Sequence, residues 1–191
     1  QSLVDVELLE QEIEAAKPNG TVDEVFKKYC DKREDFKGCF RKMTDSVQPC
    51  FTAEEQNSFA TLHNVSGQLA EFVCFKDGER IALFIAEGGK ECFQEQSEHL
   101  QTCFNSTFDS ETQDQLKNLT SEVITSPFQL EFKEKQCSQF YNLQKCMVGT
   151  LENCTAPTTA NIVESLFKYI RKGSPCSKFQ VCFTVQFLIT V

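Results

Sequence analysis

The sequence has no tryptophan, two methionines and two histidines in 191 residues. Histidine is the side chain that ordinarily titrates near neutrality, and only His63 and His99 are present. His63 falls off the apolar stripe of its predicted helix, which reads as a solvated histidine rather than a catalytic base. No G-x-S-x-G and no G-x-x-x-x-G-K-[ST] stretch occurs, so the nucleophile-elbow and phosphate-loop signatures are both missing. No apolar run reaches the roughly 18 residues of a membrane-spanning helix. No block of five like charges exists either, although 28 acidic residues outweigh 19 basic ones for a net charge of −9. That balance disfavours a nucleic-acid partner and an anionic membrane surface. Zinc sites need ligand pairs two to four residues apart. The closest cysteines here, Cys176 and Cys182, are further apart than that. The acidic residues show no calcium-loop spacing. Neither an enzymatic activity nor a cofactor or metal is expected.

What the chain does have is cysteine, 11 in all. Disulfides do not persist in the cytosol, so this density places the protein in an oxidising compartment. Five Asn-X-Ser/Thr triplets, at Asn19, Asn64, Asn105, Asn118 and Asn153, point to N-linked glycans and a secreted glycoprotein. A start at Gln1 without a basic-apolar leader fits a mature form after signal-peptide removal. Cys154 lies inside the Asn153 triplet, where an early disulfide would block a glycan.

The apolar spacing is helical. Val22, Val25, Phe26 and Tyr29 form one stripe, with Thr21 and Glu24 placed as a capping box. Thr52 and Glu55 repeat the box before a helix whose apolar face is Phe59, Leu62, Val65, Leu69, Phe72 and Val73. Asn64 falls on its opposite side. Ser110 and Gln113 open another capped stretch carrying Leu116, Leu119 and Val123. Ile162, Val163, Leu166, Phe167 and Ile170 make the last stripe. The expected fold class is all-α: a disulfide-stapled bundle of seven or eight helices in a single domain, residues 1–176, with an atypical apolar tail at 177–191.

KYCDKREDFKGC and KQCSQFYNLQKC each place eight residues between their cysteines, and a third cysteine and an apolar helix follow each. The bundle therefore divides into two possible related halves. Two cysteines nine apart on one helix are about 13.5 Å apart along the axis, and a disulfide needs Cα atoms within about 7 Å. Cys30 cannot pair with Cys39, nor Cys137 with Cys146, so each bond must join different helices. The ten cysteines expected to be bridged are Cys30, Cys39, Cys50, Cys74, Cys92, Cys103, Cys137, Cys146, Cys154 and Cys176. Cys182 is left over as a free thiol able to link two chains.

ALFIAEGGKEC at residues 82–92, the paired cysteine spacings and the ending ESLFKYIRKGSPC resemble the insect 27-kilodalton haemolymph glycoprotein family from about Thr21 to Cys176. The resemblance implies a secreted protein of haemolymph or another body fluid, and supplies no catalytic residue. In ALFIAEGGKEC, Gly88 or Gly89 is read as the left-handed cap of a helix, and Gly173 as the same stop for the last helix. After Cys176 the chain departs from that pattern into SKFQVCFTVQFLITV, read as an added strand or as the start of a hydrophobic anchor.

The chain has 18 phenylalanines. Phe supplies large apolar area without a polar handle. Phe59, Phe72, Leu83, Phe84, Leu166 and Phe167 are the expected lining of a cavity for a lipid, sterol or hormone-like ligand, a hydrophobic small-molecule partner. The competing readings are a protein-interaction or defence scaffold with a filled core, and a storage or structural protein. Oligomeric state is not legible.

Overall fold

A computed structural model describes residues 5–110, 112–113 and 133–179. Among them nine α-helices follow one another, two more than the lower sequence expectation, and no strand occurs. They are α1 (Val6–Ala16), α2 (Val22–Cys30), α3 (Arg33–Val47), α4 (Ala53–Val73), α5 (Glu79–Ala86), α6 (Gly89–Glu95), α7 (Ser97–Thr107), α8 (Glu134–Leu151) and α9 (Thr158–Gly173). The stretch at Leu116, Leu119 and Val123, and Cys182 with residues 180–191, lie outside the described residues.

Local chemistry sets the boundaries. Asp5 caps α1, its carboxylate accepting the Leu8 N–H at 3.1 Å. Thr21 stands at the start of α2, but its side chain makes no capping bond, so the capping box is not formed there. Further on, the cap is Asp109 rather than Ser110: its Oδ1 accepts the Thr112 N–H at 2.9 Å. That bond, from the backbone and side chain of Thr112, holds the Asp109 carboxyl below its usual range. The end of α5 follows the sequence reading. Gly88 takes the left-handed conformation, φ 73°, and its N–H reaches the Ile85 carbonyl at 3.2 Å. Its neighbour Gly89 serves a different need, because a Cβ there would collide with the Phe84 ring.

α9 packs along α4 and against α8, and α8 against α7. One buried cluster joins Leu151, Val163 and Phe167 to Cys92. A smaller one joins Ala16, Val22 and Phe26 under α5. Gly173 belongs to the α4–α9 contact and is not a left-handed stop. A Cβ on it would stand 2.9 Å from the Asn64 carbonyl oxygen and 2.9 Å from the Val65 Cα. Nor is His63 solvated. Its Nε2 lies 2.8 Å from Thr44 Oγ1, and its ring meets Phe40 edge-on at 5.2 Å between centroids. The Thr44 hydroxyl also donates to the Arg41 carbonyl at 2.9 Å. This part-buried polar pair joins α3 to α4.

Four disulfides staple the bundle: Cys30–Cys74, Cys92–Cys154, Cys103–Cys146 and Cys137–Cys176. Every bond joins different helices or their ends, as the helix geometry requires. The expectation of ten bridged cysteines is corrected at two positions. Cys39 and Cys50 are free and exposed. They share one helical element and its following turn, so the distance that separates them along the axis forbids a bond between them.

Candidate functional site

Among the described residues, a groove of about 590 Å³ opens between α1, α2, α5 and α6. It is lined by Ile13, Phe26, Ile81, Phe84, Ile85 and Phe93, with Glu10, Glu14, Lys17, Lys90, Gln94 and Ser97 as its polar residues. The local sequence explains the walls. α5 presents Ile81, Phe84 and Ile85 at helical spacing, one turn apart. α6 presents Phe93, whose ring meets Phe84 at 5.8 Å, edge to face. The Gly88–Gly89 break turns the chain between the two helices, and the missing side chain of Gly89 lets Phe84 lie flat beside it.

The rim is ionic but balanced. Lys17 and Glu14 form an ion pair at 2.8 Å. Their hydrogen bond lowers the Glu14 carboxyl and raises the Lys17 ammonium from their ordinary values. With Lys90 beside Glu14 and Glu10, the rim has two charges of each sign. Such a rim leaves an apolar molecule with a small polar end free to sit without an opposing net charge, and it offers no strong field to concentrate an ion.

Of the six side chains expected to line a cavity, Phe84 alone lines this groove. Phe72 is 2% exposed and packs edge-on against Tyr169 at 5.4 Å. Phe167 is buried beside Phe140 at 5.0 Å. Phe59 pairs with Phe51 at 5.1 Å. Leu166 is half-buried on α9. Leu83 points outward and is 45% exposed. These residues fill the bundle or face solvent because α4 and α9 approach closely enough to interdigitate. The groove instead forms where the short helices α5 and α6 splay at the double glycine.

The sequence reading missed Arg80. Its guanidinium stands 3.9 Å from the Phe75 ring centroid, 5.0 Å from Tyr169 and 5.1 Å from Phe72. One of its terminal nitrogens is buried without a hydrogen-bond partner. Phe72 and Phe75 precede Arg80 by eight and five residues across a chain reversal, and Tyr169 comes from α9, so helical spacing alone does not announce the cluster. Lys76, Asp77 and Gly78 all adopt positive φ, a sharp reversal that carries Arg80 back under α4.

Asn19, Asn64, Asn105 and Asn153 are exposed, and Asn118 lies outside the described residues. The Asn153 amide nitrogen is engaged with the Gly149 and Thr150 carbonyls at 3.3 and 3.1 Å. Among the described residues no three His, Cys, Asp or Glu side chains gather as a metal site, and no helix is long and apolar enough to cross a membrane.

Residues 1–176 match the family described as a protein of unknown function, DUF1397. The chain is 47% identical over 176 residues to the "27 kDa glycoprotein" of Bombyx mori, covering 92% of this chain and 73% of the relative. It is 43% identical over 178 residues to the "27 kDa hemolymph protein" of Galleria mellonella, covering 93% and 71%. With the "27 kDa hemolymph glycoprotein" of Manduca sexta it shares 44% identity over 177 residues, again 93% and 71%. No solved structure matches the chain. The groove, the double glycine and the core disulfides all fall within the matched span, and the chain belongs to the DUF1397 family, that of the insect 27 kDa haemolymph glycoproteins.

Proposed function

We propose that this is a secreted haemolymph glycoprotein that carries a hydrophobic small molecule in the groove between α1, α2, α5 and α6. The carrying observation is the groove itself. Its volume of about 590 Å³ falls in the range of small-molecule sites, and six of its twelve lining residues are aliphatic or aromatic. The names of the relatives support the body-fluid setting. The disulfides fit the same reading, because each constrains the unfolded chain and contributes about 2–4 kcal/mol. A stapled bundle can therefore leave one wall unfilled and stay folded. The balanced rim favours a neutral occupant with a small polar end, such as a sterol, an acyl alcohol or a hormone-like terpenoid, over an ion.

The test is a titration of the glycosylated, disulfide-intact protein with a fluorescent sterol. Saturable binding that Ile85→Trp weakens at least tenfold, with the melting temperature kept, supports the reading. Binding that is absent, or unchanged in a folded Ile85→Trp protein, refutes it and leaves an interaction scaffold as the better account.

A further inference from the structure

One face of α3 is unpacked. Thr44 is the only buried residue of this 15-residue helix. Phe36, Met43 and Val47 are 48%, 56% and 39% exposed. Cys39, free and exposed, stands among them. At helical spacing the four side chains fall in one stripe about 80° wide. α3 carries no asparagine, so no glycan grows from it to shield the stripe. The helix lines no part of the groove between α1, α2, α5 and α6, so what covers the stripe is separate from the ligand proposed there.

The charges beside the stripe say what fits it. Asp35 and Lys42 are both exposed, and they lie about 20° apart along the edge next to Cys39. Asp35 is four residues before Cys39, and Lys42 is three after it. Among the described residues neither has an ion-pair partner, whereas Glu34, on another side of the helix, is already paired with Arg33 and Lys37. A twofold axis through Cys39, pairing α3 with an antiparallel copy of itself, sets Asp35 of each chain beside Lys42 of the other, offset by about 1.5 Å along the helix. A parallel copy would set like charges level with one another.

We propose that a second copy of this chain docks antiparallel on the α3 stripe, and that a Cys39–Cys39 disulfide closes the pair at the twofold axis. The geometry permits the bond. Packed helices stand about 8–10 Å apart, and their Cα atoms lie about 2.3 Å from the helix axis. Cys39 is turned about 40° from the middle of the stripe, so its two copies have Cα atoms about 4.5–6.5 Å apart, within the span of a disulfide. The apolar contact is too small to hold the pair unaided. A strip about 22 Å long and 10 Å wide falls well short of the roughly 800 Å² per partner that stable interfaces bury. The covalent bond therefore makes the pair permanent, and the charges set its register. Cys50 lies eleven residues further on, so its two copies stand about 30 Å apart and do not bridge each other. The bond forms by thiol–disulfide exchange. One Cys39 thiolate attacks the disulfide of a secretory-pathway oxidoreductase, and the second Cys39 displaces the enzyme from that mixed disulfide. The two Cys39 thiols give up two electrons and two protons, and the oxidoreductase disulfide takes them up as two thiols.

The experiment takes the glycosylated protein secreted from insect cells and alkylates it without reduction. Light scattering then gives the particle mass, and peptide mapping gives the bonds. Cleavage after Lys37 and Arg41 isolates Cys39 from every other cysteine. The expected result is a particle of twice the chain mass, a peptide of residues 38–41 bonded to a second copy of itself, and alkylated Cys50. Cys39→Ser should halve the particle mass and leave the melting temperature unchanged. Asp35→Lys should cut the dimer fraction by roughly threefold, and adding Lys42→Asp should restore it. The proposal is overturned by a monomer with alkylated Cys39, by a bond from Cys39 to Cys50, Cys182 or any other cysteine, by a dimer that survives Cys39→Ser, or by charge variants that leave the dimer fraction unchanged.

Discussion

Gly173→Ala and Gly149→Ala are the same substitution with opposite expected signs. In a helix, Ala is favoured over Gly by about 0.5–1 kcal/mol, because Gly loses more backbone entropy on folding. At Gly149, in α8, a Cβ would meet nothing within 4 Å, so that gain should appear undiminished. At Gly173 a Cβ would press on the Asn64 carbonyl oxygen and the Val65 Cα, both at 2.9 Å. Backbone cannot swing aside as a side-chain tip can, so α4 and α9 must separate along their shared interface. Overpacking of this kind costs about 1–3 kcal/mol. Gly173 also ends its helix, where the propensity gain is smallest. The clash wins by about 1–2 kcal/mol. For a chain of this size each kcal/mol moves the melting temperature by about 2–4 °C. Thermal unfolding followed by circular dichroism, with the disulfides intact, should show Gly149→Ala melting a few degrees higher and Gly173→Ala a few degrees lower. If both variants melt higher by the same amount, the close approach of α4 and α9 is wrong.

Arg80→Lys should lower stability by about 0.5–2 kcal/mol in urea unfolding, because an ammonium cannot stack flat on Phe75 as a guanidinium does; an unchanged midpoint would remove the three rings as its anchor. Asp109 has a folded-state pKa below its usual value, first through the Thr112 bond. Its contribution is therefore present above the unfolded pKa and lost as pH falls through the folded one. Melting temperature should drop less between pH 5 and pH 2 in Asp109→Asn than in the unaltered protein, and parallel curves would contradict this. Enzymatic deglycosylation in heavy-oxygen water, read by peptide mass, should find Asn153 less occupied than Asn19, Asn64 or Asn105. Its following residue is bridged to Cys92, and equal occupancy would show that the glycan precedes that bond.

The helical faces were legible wherever the stripe met another helix. Val22, Phe26, Val163 and Phe167 are buried where the periodicity placed them, and Glu164–Lys168 pair at 3.0 Å on the back of α9. Helix geometry also excluded the wrong disulfides. Cysteine parity did not place Cys39 and Cys50, which are free and exposed, because an even count does not say which cysteines come within bonding distance. The groove was half legible. ALFIAEGGKEC marked a helix end, and a stripe shows which side chains turn inward. It cannot show which of them interdigitate, so Phe72 and Phe167 were mistaken for a lining while Ile81, Ile85 and Phe93 were overlooked. His63 lies about 40° around α4 from Phe59, at the edge of the stripe, where a facing Thr decides between solvent and packing. That Thr44 belongs to another helix is tertiary information.

Solvent extraction and quantitative mass spectrometry of the protein purified natively from body fluid tests the carrier reading most directly. The account predicts about one mole of a neutral apolar compound per mole of protein, retained in Leu83→Ser, whose side chain faces outward, and lost in folded Ile85→Trp. An extract without any stoichiometric compound, or one whose compound persists unchanged when the groove is filled, would contradict it.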